Sequence, residues 1–188
     1  MNKEVLLEIV NQYLSIFPKE KRRQRELIRF LKKYDHIDLI DWNNFYGHIV
    51  ASGFIYAKEE SKFLMVFHKD LKCYLYPGGH INRDDKNTLE AAIREIQEET
   101  ALKSLKEVKV CPNDLVPFDI DIHKINYNKR LNLQSHYHYD FRYLFTIDKI
   151  ENVHIDTDEL KDYKWINRDE LEQDKRFAKV TEKIKEIE

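Results

Sequence analysis

Hydrophobic residues follow two different periods along the chain, and the change between them separates a helical beginning from a strand-rich middle. Two segments of helical period come first, separated by Pro18 and a run of Lys and Arg. Their apolar positions are Val5, Ile9, Leu14, Leu27, Phe30 and Leu31. From His48 onward, apolar residues come in the runs and alternations that are typical of strands. The predicted strands span 48–57, 62–68, 72–76, 106–110, 116–125, 136–147 and 162–166.

One long helix interrupts the predicted strands, and another ends the chain. The first runs from Thr88 to about Leu102, and the second carries an apolar stripe of Phe177, Val180, Ile184 and Ile187. Strands that flank a central helix, with further helices at both ends, predict a layered α/β fold. We expect one domain over residues 1–188, with three parts in chain order: a helical extension (1–45), a core (46–167) and a C-terminal helix (168–188).

Composition and charge narrow the class of protein. The 188 residues, 42% of them hydrophobic and 35% charged, suit one packed domain. Lys and Arg number 32 against 34 for Asp and Glu, so there is no basic field for nucleic acid and the formal net charge is -2. The apolar stretch 48–57 is far shorter than the roughly 20 residues of a bilayer span. Cys73 and Cys111 show neither a disulfide framework nor metal-ligand spacing. We therefore expect reduced thiols in a soluble, cytoplasmic protein, and the sequence leaves open whether it forms a homodimer.

Glycine is rare in this chain, and its placement is informative. There are four glycines, two of which are adjacent in Pro77-Gly78-Gly79. In a chain with so few glycines, two adjacent ones indicate a backbone path that side chains would obstruct. The functional site is expected beside this turn.

A helix rich in carboxylates follows the double glycine. Asn87 and Glu90 have the spacing of a capping box, which marks the helix start. Glu95, Glu98 and Glu99 then lie at i, i+3 and i+4, so their side chains converge on one face. Such carboxylates repel each other, and they are suitable ligands for Mg²⁺ or Mn²⁺. A solvated acidic helix is the alternative interpretation of the helix alone.

The turn and the helix together resemble the signature of the Nudix hydrolases, G-x5-E-x7-R-E-U-x-E-E-x-G-U, where U is a bulky aliphatic residue. The match runs from Gly79 through Arg94, Glu95, Glu98 and Glu99 to Leu102. The loop carries one extra residue, which leaves open whether Asp84 or Asp85 replaces the first Glu. Ala101 replaces the last Gly, so we expect this helix end to close differently from a glycine C-cap.

The resemblance implies an α/β/α sandwich around a mixed sheet and a metal-dependent pyrophosphohydrolase. Its substrate would be a nucleoside diphosphate linked to another group, and water would be the nucleophile. By the same resemblance, Glu98, Glu99 and the carbonyl of Gly78 would bind Mg²⁺ or Mn²⁺. Glu95 would be a further ligand or the base, and Arg94 would hold the carboxylates in position. The alternatives are a silent Nudix domain that senses a ligand and, last, an isomerase of prenyl diphosphates.

A second polar face is predicted on two strands outside this signature. Alternation places His136, His138, Asp140 and Arg142 on one face of strand 136–147. It likewise groups Asp119, Asp121 and His123 in the preceding strand. If the strands pair antiparallel across the connection 124–135, these residues form one His and Asp cluster.

Two interpretations of this face remain open. It either lines the substrate cleft and binds substrate or a further metal, or it is a solvent-facing strand pair with cross-strand ion pairs. His80 joins the first interpretation, because one group of Nudix sequences pairs a Gly-Gly-His turn with similar Asp-Ile-Asp-Ile-His and His-x-His-x-Asp strands. Glu159, in an acidic turn, is a weaker candidate for a distal carboxylate.

Overall fold

A computed structural model of the chain describes residues 2–34, 39–127 and 134–187. The helices of this part are α1 (Lys3–Ile16), α2 (Arg25–Lys33), α3 (Thr88–Thr100), α4 (Arg168–Gln173) and α5 (Ala178–Ile187), with a 3₁₀ helix at Pro18–Arg22. The strands are β1 (Gly47–Ala57), β2 (Lys62–His68), β3 (Cys73–Leu75), β4 (Gly78–His80), β5 (Lys106–Glu107), β6 (Asp119–Ile125), β7 (His136–Ile147) and β8 (Leu160–Asn167). No helix among these residues has the length and apolarity to cross a bilayer.

The predicted helices and strands agree best with the structure where the hydrophobic pattern extends over many residues. Strands β2 and β7 have the predicted bounds and β1 differs by one residue. The double glycine, expected as a turn, forms strand β4. The C-terminal helix is two helices, because a capping box at Asn167 and Glu170 starts α4 and Asp174 ends it. The side chain of Ile187 and residues 128–133 of the predicted connection lie outside the described part.

All eight strands belong to one mixed sheet. Its main path has the order β3-β2-β1-β7-β5, with β4 paired to β1, β6 to β7 and β8 to β2. Strands β1 and β7 run parallel over their whole length, and the remaining pairs are antiparallel. The long parallel pair is the centre of the sheet, since β4 and β6 flank it on its two sides.

Helices cover both faces of the sheet. One core contains apolar residues of α1, α2 and α3 with the odd-numbered residues of β1 and β7, including Ile49, Ala51, Tyr139 and Phe141. The other contains apolar residues of α4 and α5 with Phe54, Met65 and Leu144. This is the predicted α/β/α sandwich. The stripe of α1 is rotated from the prediction, because Val5 is 44% exposed while Leu6, Ile9, Val10 and Tyr13 are buried.

Candidate active site and the histidine cluster beside it

Helix α3 begins at the predicted residue and presents its carboxylates to the double glycine. The side chain of Asn87 accepts a hydrogen bond from the Glu90 amide at 2.8 Å. Glu90 does not complete the capping box, since it accepts instead from the Lys86 amide. Glu99 is buried, at 6% exposed, whereas the side chain of Glu98 is 57% exposed. The three predicted carboxylates therefore differ in their access to solvent.

The two glycines allow strand β4 to approach both β1 and α3. A Cβ on Gly78 would stand 2.2 Å from the Cβ of Ser52, and its φ of +153° is one that other residues rarely adopt. A Cβ on Gly79 would stand 2.6 Å from Oε2 of Glu95. The Gly78 amide donates to Oε2 of Glu99 at 2.9 Å. Because Gly78 and Gly79 have no side chains, this part of β4 lies in direct contact with the carboxylates of Glu95 and Glu99.

Arg94 is the cation that organises the acids. Its Nη1 donates to Glu95 at 2.9 Å and to Glu98 at 2.8 Å, and its Nη2 donates to the carbonyl of His80 at 2.8 Å. Its Nε and Nη2 donate two further hydrogen bonds, at 3.0 and 2.8 Å, to the carboxylate of Asp85. Asp85 is buried and Asp84 is exposed, so Asp85 is the loop acid that contacts the signature arginine.

The end of α3 contradicts the expectation for Ala101. This residue adopts the left-handed conformation, with φ +58° and ψ +12°, and its amide donates to the carbonyl of Gln97. The helix therefore closes with the backbone of a glycine C-cap although the residue has a Cβ.

The acids of the site have little positive charge to compensate them. Burial, together with the nearby Glu95, Glu159 and Asp156, raises the pKa of Glu99 to about 8. Burial also raises the pKa of Glu95, although Arg94 opposes the shift. Glu95 and Glu99, with the exposed Glu98, supply the carboxylate oxygens that a hard divalent cation prefers, and such an ion would neutralise their charge.

A cavity of about 870 Å³ opens beside this site. Gly78, Gly79, Glu99 and Glu159 line one part of it. The rest of the lining includes all seven residues predicted to bind substrate: His80, Asp121, His123, His136, His138, Asp140 and Arg142. One cleft thus joins the carboxylate site to the second polar face.

The predicted pairing of the second face is confirmed. Strands β6 and β7 are antiparallel, with Asp119 opposite Arg142, Asp121 opposite Asp140 and His123 opposite His138. Arg142 is 4% exposed and forms ion pairs with all three aspartates. These ion pairs are buried rather than solvent-facing, so much of the face is already neutralised within the protein.

The charged part of this face is fixed from outside by both terminal segments. Lys183 of α5 pairs with Asp119, and Arg23 pairs with Asp119 and Asp121. The hydroxyl of Tyr13 in α1 donates to the same carboxylate of Asp119 at 3.4 Å. The N-terminal and C-terminal helices therefore anchor the wall of the cleft.

Histidines occupy the other end of the face. The rings of His48, His80, His136 and His138, with His123 beside them, form what we call the histidine cluster. Their centroids lie 4.7 to 5.6 Å from those of their neighbours. Burial and the other histidines lower the pKa of His48 to about 3, and they also lower the pKa values of His80 and His138. Burial therefore favours the neutral form of His48, His80 and His138.

Sequence reasoning missed several members of this site. His48 was not assigned a role, although its place at the start of β1 and the parallel pairing with His138 put it in the cluster. Alternation along β1, which sends His48 and Ser52 to one face, is the signal that points to it. Arg23 and Lys183 carry no local signal, because their partner Asp119 is distant in the sequence.

Known proteins resemble this chain in sequence and in fold. The family model of the NUDIX domain matches residues 47–186. A protein of Lactococcus lactis subsp. cremoris (strain MG1363), named "Probable DHNTP pyrophosphohydrolase", is 32% identical over 93 residues, which are 50% of this chain and 51% of that protein. The chain thus matches about half the length of this relative.

Solved structures show the same fold. A Nudix-family hydrolase from Clostridium perfringens has a TM-score of 0.56 and 25% identity, over 75% of this chain and 98% of that one. The dihydroneopterin triphosphate pyrophosphohydrolase of E. coli has a TM-score of 0.50 and 15% identity, over 65% and 82% of the two chains. Because the family model covers most of its length, this chain belongs to the Nudix family.

Proposed function

We propose that this protein is a Mg²⁺- or Mn²⁺-dependent pyrophosphohydrolase that cleaves a nucleoside diphosphate linked to another group. Nudix hydrolases act on pyrophosphate bonds and generally use divalent metal ions. The observation that carries the proposal is the arrangement around Arg94, which holds Glu95 and Glu98 beside the double glycine while Glu99 lies buried with a raised pKa. The alternative, a silent Nudix domain that senses a ligand, is disfavoured because Arg94, Glu95, Glu98 and Glu99 are all present.

The metal would be held by Glu98, Glu99 and the carbonyl of Gly78. When bound, a divalent ion neutralises phosphate charge and lowers the pKa of water. The Gly78 amide donates to Glu99 at 2.9 Å, so the residue whose carbonyl would bind the ion is held next to that carboxylate. The side chain of Glu98 is 57% exposed, so it is the carboxylate most accessible to an incoming ion and phosphate.

Glu95 either joins the ligands or accepts a proton from the attacking water. Both roles need an ionised carboxylate, which the 2.9 Å bond from Arg94 favours. Arg94 is a positioning residue, since its guanidinium is occupied by Asp85, Glu95, Glu98 and the carbonyl of His80.

The remainder of the cleft would bind the group beyond the diphosphate. We assign this recognition to the predicted residues His80, Asp121, His123, His136, His138, Asp140 and Arg142, which line the cavity. Its volume of about 870 Å³ suits a ligand of nucleotide size. Two relatives are named for dihydroneopterin triphosphate, so that compound is the first candidate substrate.

The remaining parts of the proposal concern partners and location. A small molecule, rather than nucleic acid, is the expected substrate because the chain has no excess of basic residues. Both cysteines are free and half-buried, which suits the reducing cytoplasm.

The test is hydrolysis by the full chain with Mg²⁺ or Mn²⁺. Dihydroneopterin triphosphate, nucleoside triphosphates, dinucleotides, nucleotide sugars and coenzyme A form the panel, and released phosphate or pyrophosphate is measured. Glu98→Gln should lower turnover of the best substrate at least 100-fold without changing the thermal unfolding midpoint. Glu90→Gln, on the same helix but paired with Lys86, is the matched control and should keep full activity. No hydrolysis of any compound, or equal turnover in Glu98→Gln and wild type, would refute the enzyme.

A further inference from the structure

The histidine cluster contains a side chain whose polar atoms have no partner. His48 is fully buried, and neither Nδ1 nor Nε2 has a hydrogen-bond partner among the residues that the structure describes. An imidazole carries one N–H and one lone pair when neutral, and buried polar groups of this kind are normally satisfied. A buried imidazole without protein partners leaves its nitrogens to be satisfied by a water molecule or an ion.

The neighbouring His136 is held so that its Nε2 faces His138. Its Nδ1 lies 2.7 Å from the carbonyl oxygen of Gln134. A carbonyl only accepts, so Nδ1 of His136 carries a proton, and Nε2 is the ring nitrogen available to bind an ion. A ring N–H bound to a backbone carbonyl is also the usual way in which proteins orient a metal-binding histidine.

One distance between the rings matches that of two ligands on the same ion, and the third ring is close by. Nε2 of His136 lies 3.2 Å from Nε2 of His138. Two nitrogens at about 2.0–2.1 Å from one tetrahedral ion are about 3.3 Å apart. One ring nitrogen each of His48, His136 and His138 lies within 4.8 Å of the others, and this is the one group of three metal-ligating side chains found among the described residues.

We propose that His48, His136 and His138 bind a divalent transition-metal ion, Zn²⁺ or a close analogue, at a site separate from the carboxylates of α3. The site goes beyond the proposed hydrolase function and does not depend on it. Imidazole nitrogen suits Zn²⁺, Co²⁺ and Ni²⁺, whereas Mg²⁺ prefers oxygen. The fourth coordination position of a tetrahedral ion would face the cleft, because His136 and His138 line the cavity together with His80.

One alternative explains part of this geometry without a metal ion. The alternative is a hydrogen bond from Nε2–H of His138 to Nε2 of His136, which explains their 3.2 Å contact but leaves both nitrogens of His48 without a partner.

The test is metal binding by the full chain after removal of metals with EDTA. Co²⁺ is titrated first, because tetrahedral Co²⁺ with nitrogen ligands absorbs visible light far more strongly than octahedral Co²⁺ on carboxylates. Zn²⁺ is then added in competition, with calorimetry to give the stoichiometry. We expect one tetrahedral Co²⁺ per chain, displaced by one equivalent of Zn²⁺ and unaffected by millimolar Mg²⁺.

Single substitutions test which histidines bind the ion. His138→Ala should weaken Zn²⁺ binding at least 100-fold, and His136→Gln should do the same as a second variant of different shape. His154→Ala, which removes an exposed histidine elsewhere, is the matched control. Glu98→Gln should keep the tetrahedral spectrum and lose hydrolysis, which separates this site from the proposed active site.

Three results would overturn the proposal. The first is a wild-type chain that binds no Co²⁺ or Zn²⁺ at micromolar concentration. The second is unchanged affinity in a folded His138→Ala or His136→Gln variant, with folding judged by thermal unfolding in EDTA. The third is a spectrum that is lost in Glu98→Gln and kept in both histidine variants.

Discussion

Asp119 is a buried carboxylate whose removal should reveal how strongly the terminal helices are held to the cleft wall. Its side chain is 0% exposed and pairs with Lys183, Arg142 and Arg23. Asp119→Asn keeps the shape of the side chain and deletes its charge. Each of the three cations then loses one partner inside the protein.

The expected loss follows from what remains around these cations. Removing one member of a buried ion pair costs about 3–5 kcal/mol, because it leaves an uncompensated charge. Glu20 still pairs with Lys183 and Arg23, and Asp121 and Asp140 still pair with Arg142. We therefore expect the lower end, about 3 kcal/mol. For a domain of this size, that corresponds to a drop of about 6–12 °C in the thermal midpoint.

Urea and thermal unfolding of the full chain measure the effect. Asp114→Asn is the matched control, since its pair with Lys109 is 3.4 Å long and both side chains are 51% exposed. Exposed pairs contribute about 0–1 kcal/mol, so this variant should unfold like the wild type. If Asp119→Asn also stays within 1 kcal/mol of the wild type, the buried network does not anchor the helices as argued.

The same network makes the free energy of unfolding depend on pH. Burial alone would raise the pKa of Asp119, but Lys183, Arg142 and Arg23 hold it below the ordinary value of 3.8. A carboxyl whose pKa is lower in the folded state stabilises the protein above its unfolded pKa and loses that contribution as the pH falls. The stability difference between the wild type and Asp119→Asn should thus be constant from pH 7 to about pH 5 and shrink below about pH 4.

Two further predictions concern the backbone around α3. Gly79→Ala should lower turnover about 100-fold with little loss of stability, because the new Cβ displaces the flexible end of Glu95. Gly78→Ala should instead unfold at a clearly lower urea concentration, since its Cβ meets the backbone of β1 at a positive φ; equal stability of the two variants would contradict this. Ala101→Gly should raise the unfolding free energy by about 0.5 kcal/mol, as the left-handed strain of about 1–2 kcal/mol is partly offset by the entropy of glycine. Ala91→Gly, inside the helix, should lower it, and a loss in both would contradict the assignment of strain.

The elements that could be predicted from sequence are those whose signal is local and repeated. Strand β7 alternates over twelve residues, so its bounds and its pairing with β6 followed from period alone. Helix α3 begins at the predicted N-cap Asn87. Strand β4 was missed because glycine has low strand propensity, and its pairing with Val50–Ser52 arises from the close approach that missing side chains permit.

The same distinction holds for the candidate site. The signature lies on one helix and one turn, so Arg94, Glu95, Glu98 and Glu99 could be named together from their spacing. The choice between Asp84 and Asp85 depended on which side chain turns inward to Arg94, and spacing does not contain that information. His48 lies ninety residues before His138, and only the parallel register of β1 and β7 brings their rings together.

Strand β1 connects the two proposed metal sites. On one face it carries His48, beside His138 of β7, and Ser52, opposite Gly78 of β4. Four residues of a strand span about 13 Å, so His48 and Ser52 lie at a fixed separation on one rigid element. An ion at either position would share no ligand with the other. Glu98→Gln should therefore leave metal binding by the histidine cluster intact, whereas His138→Ala removes both a ligand of that ion and a residue assigned to substrate recognition, so only Glu98→Gln separates the two sites.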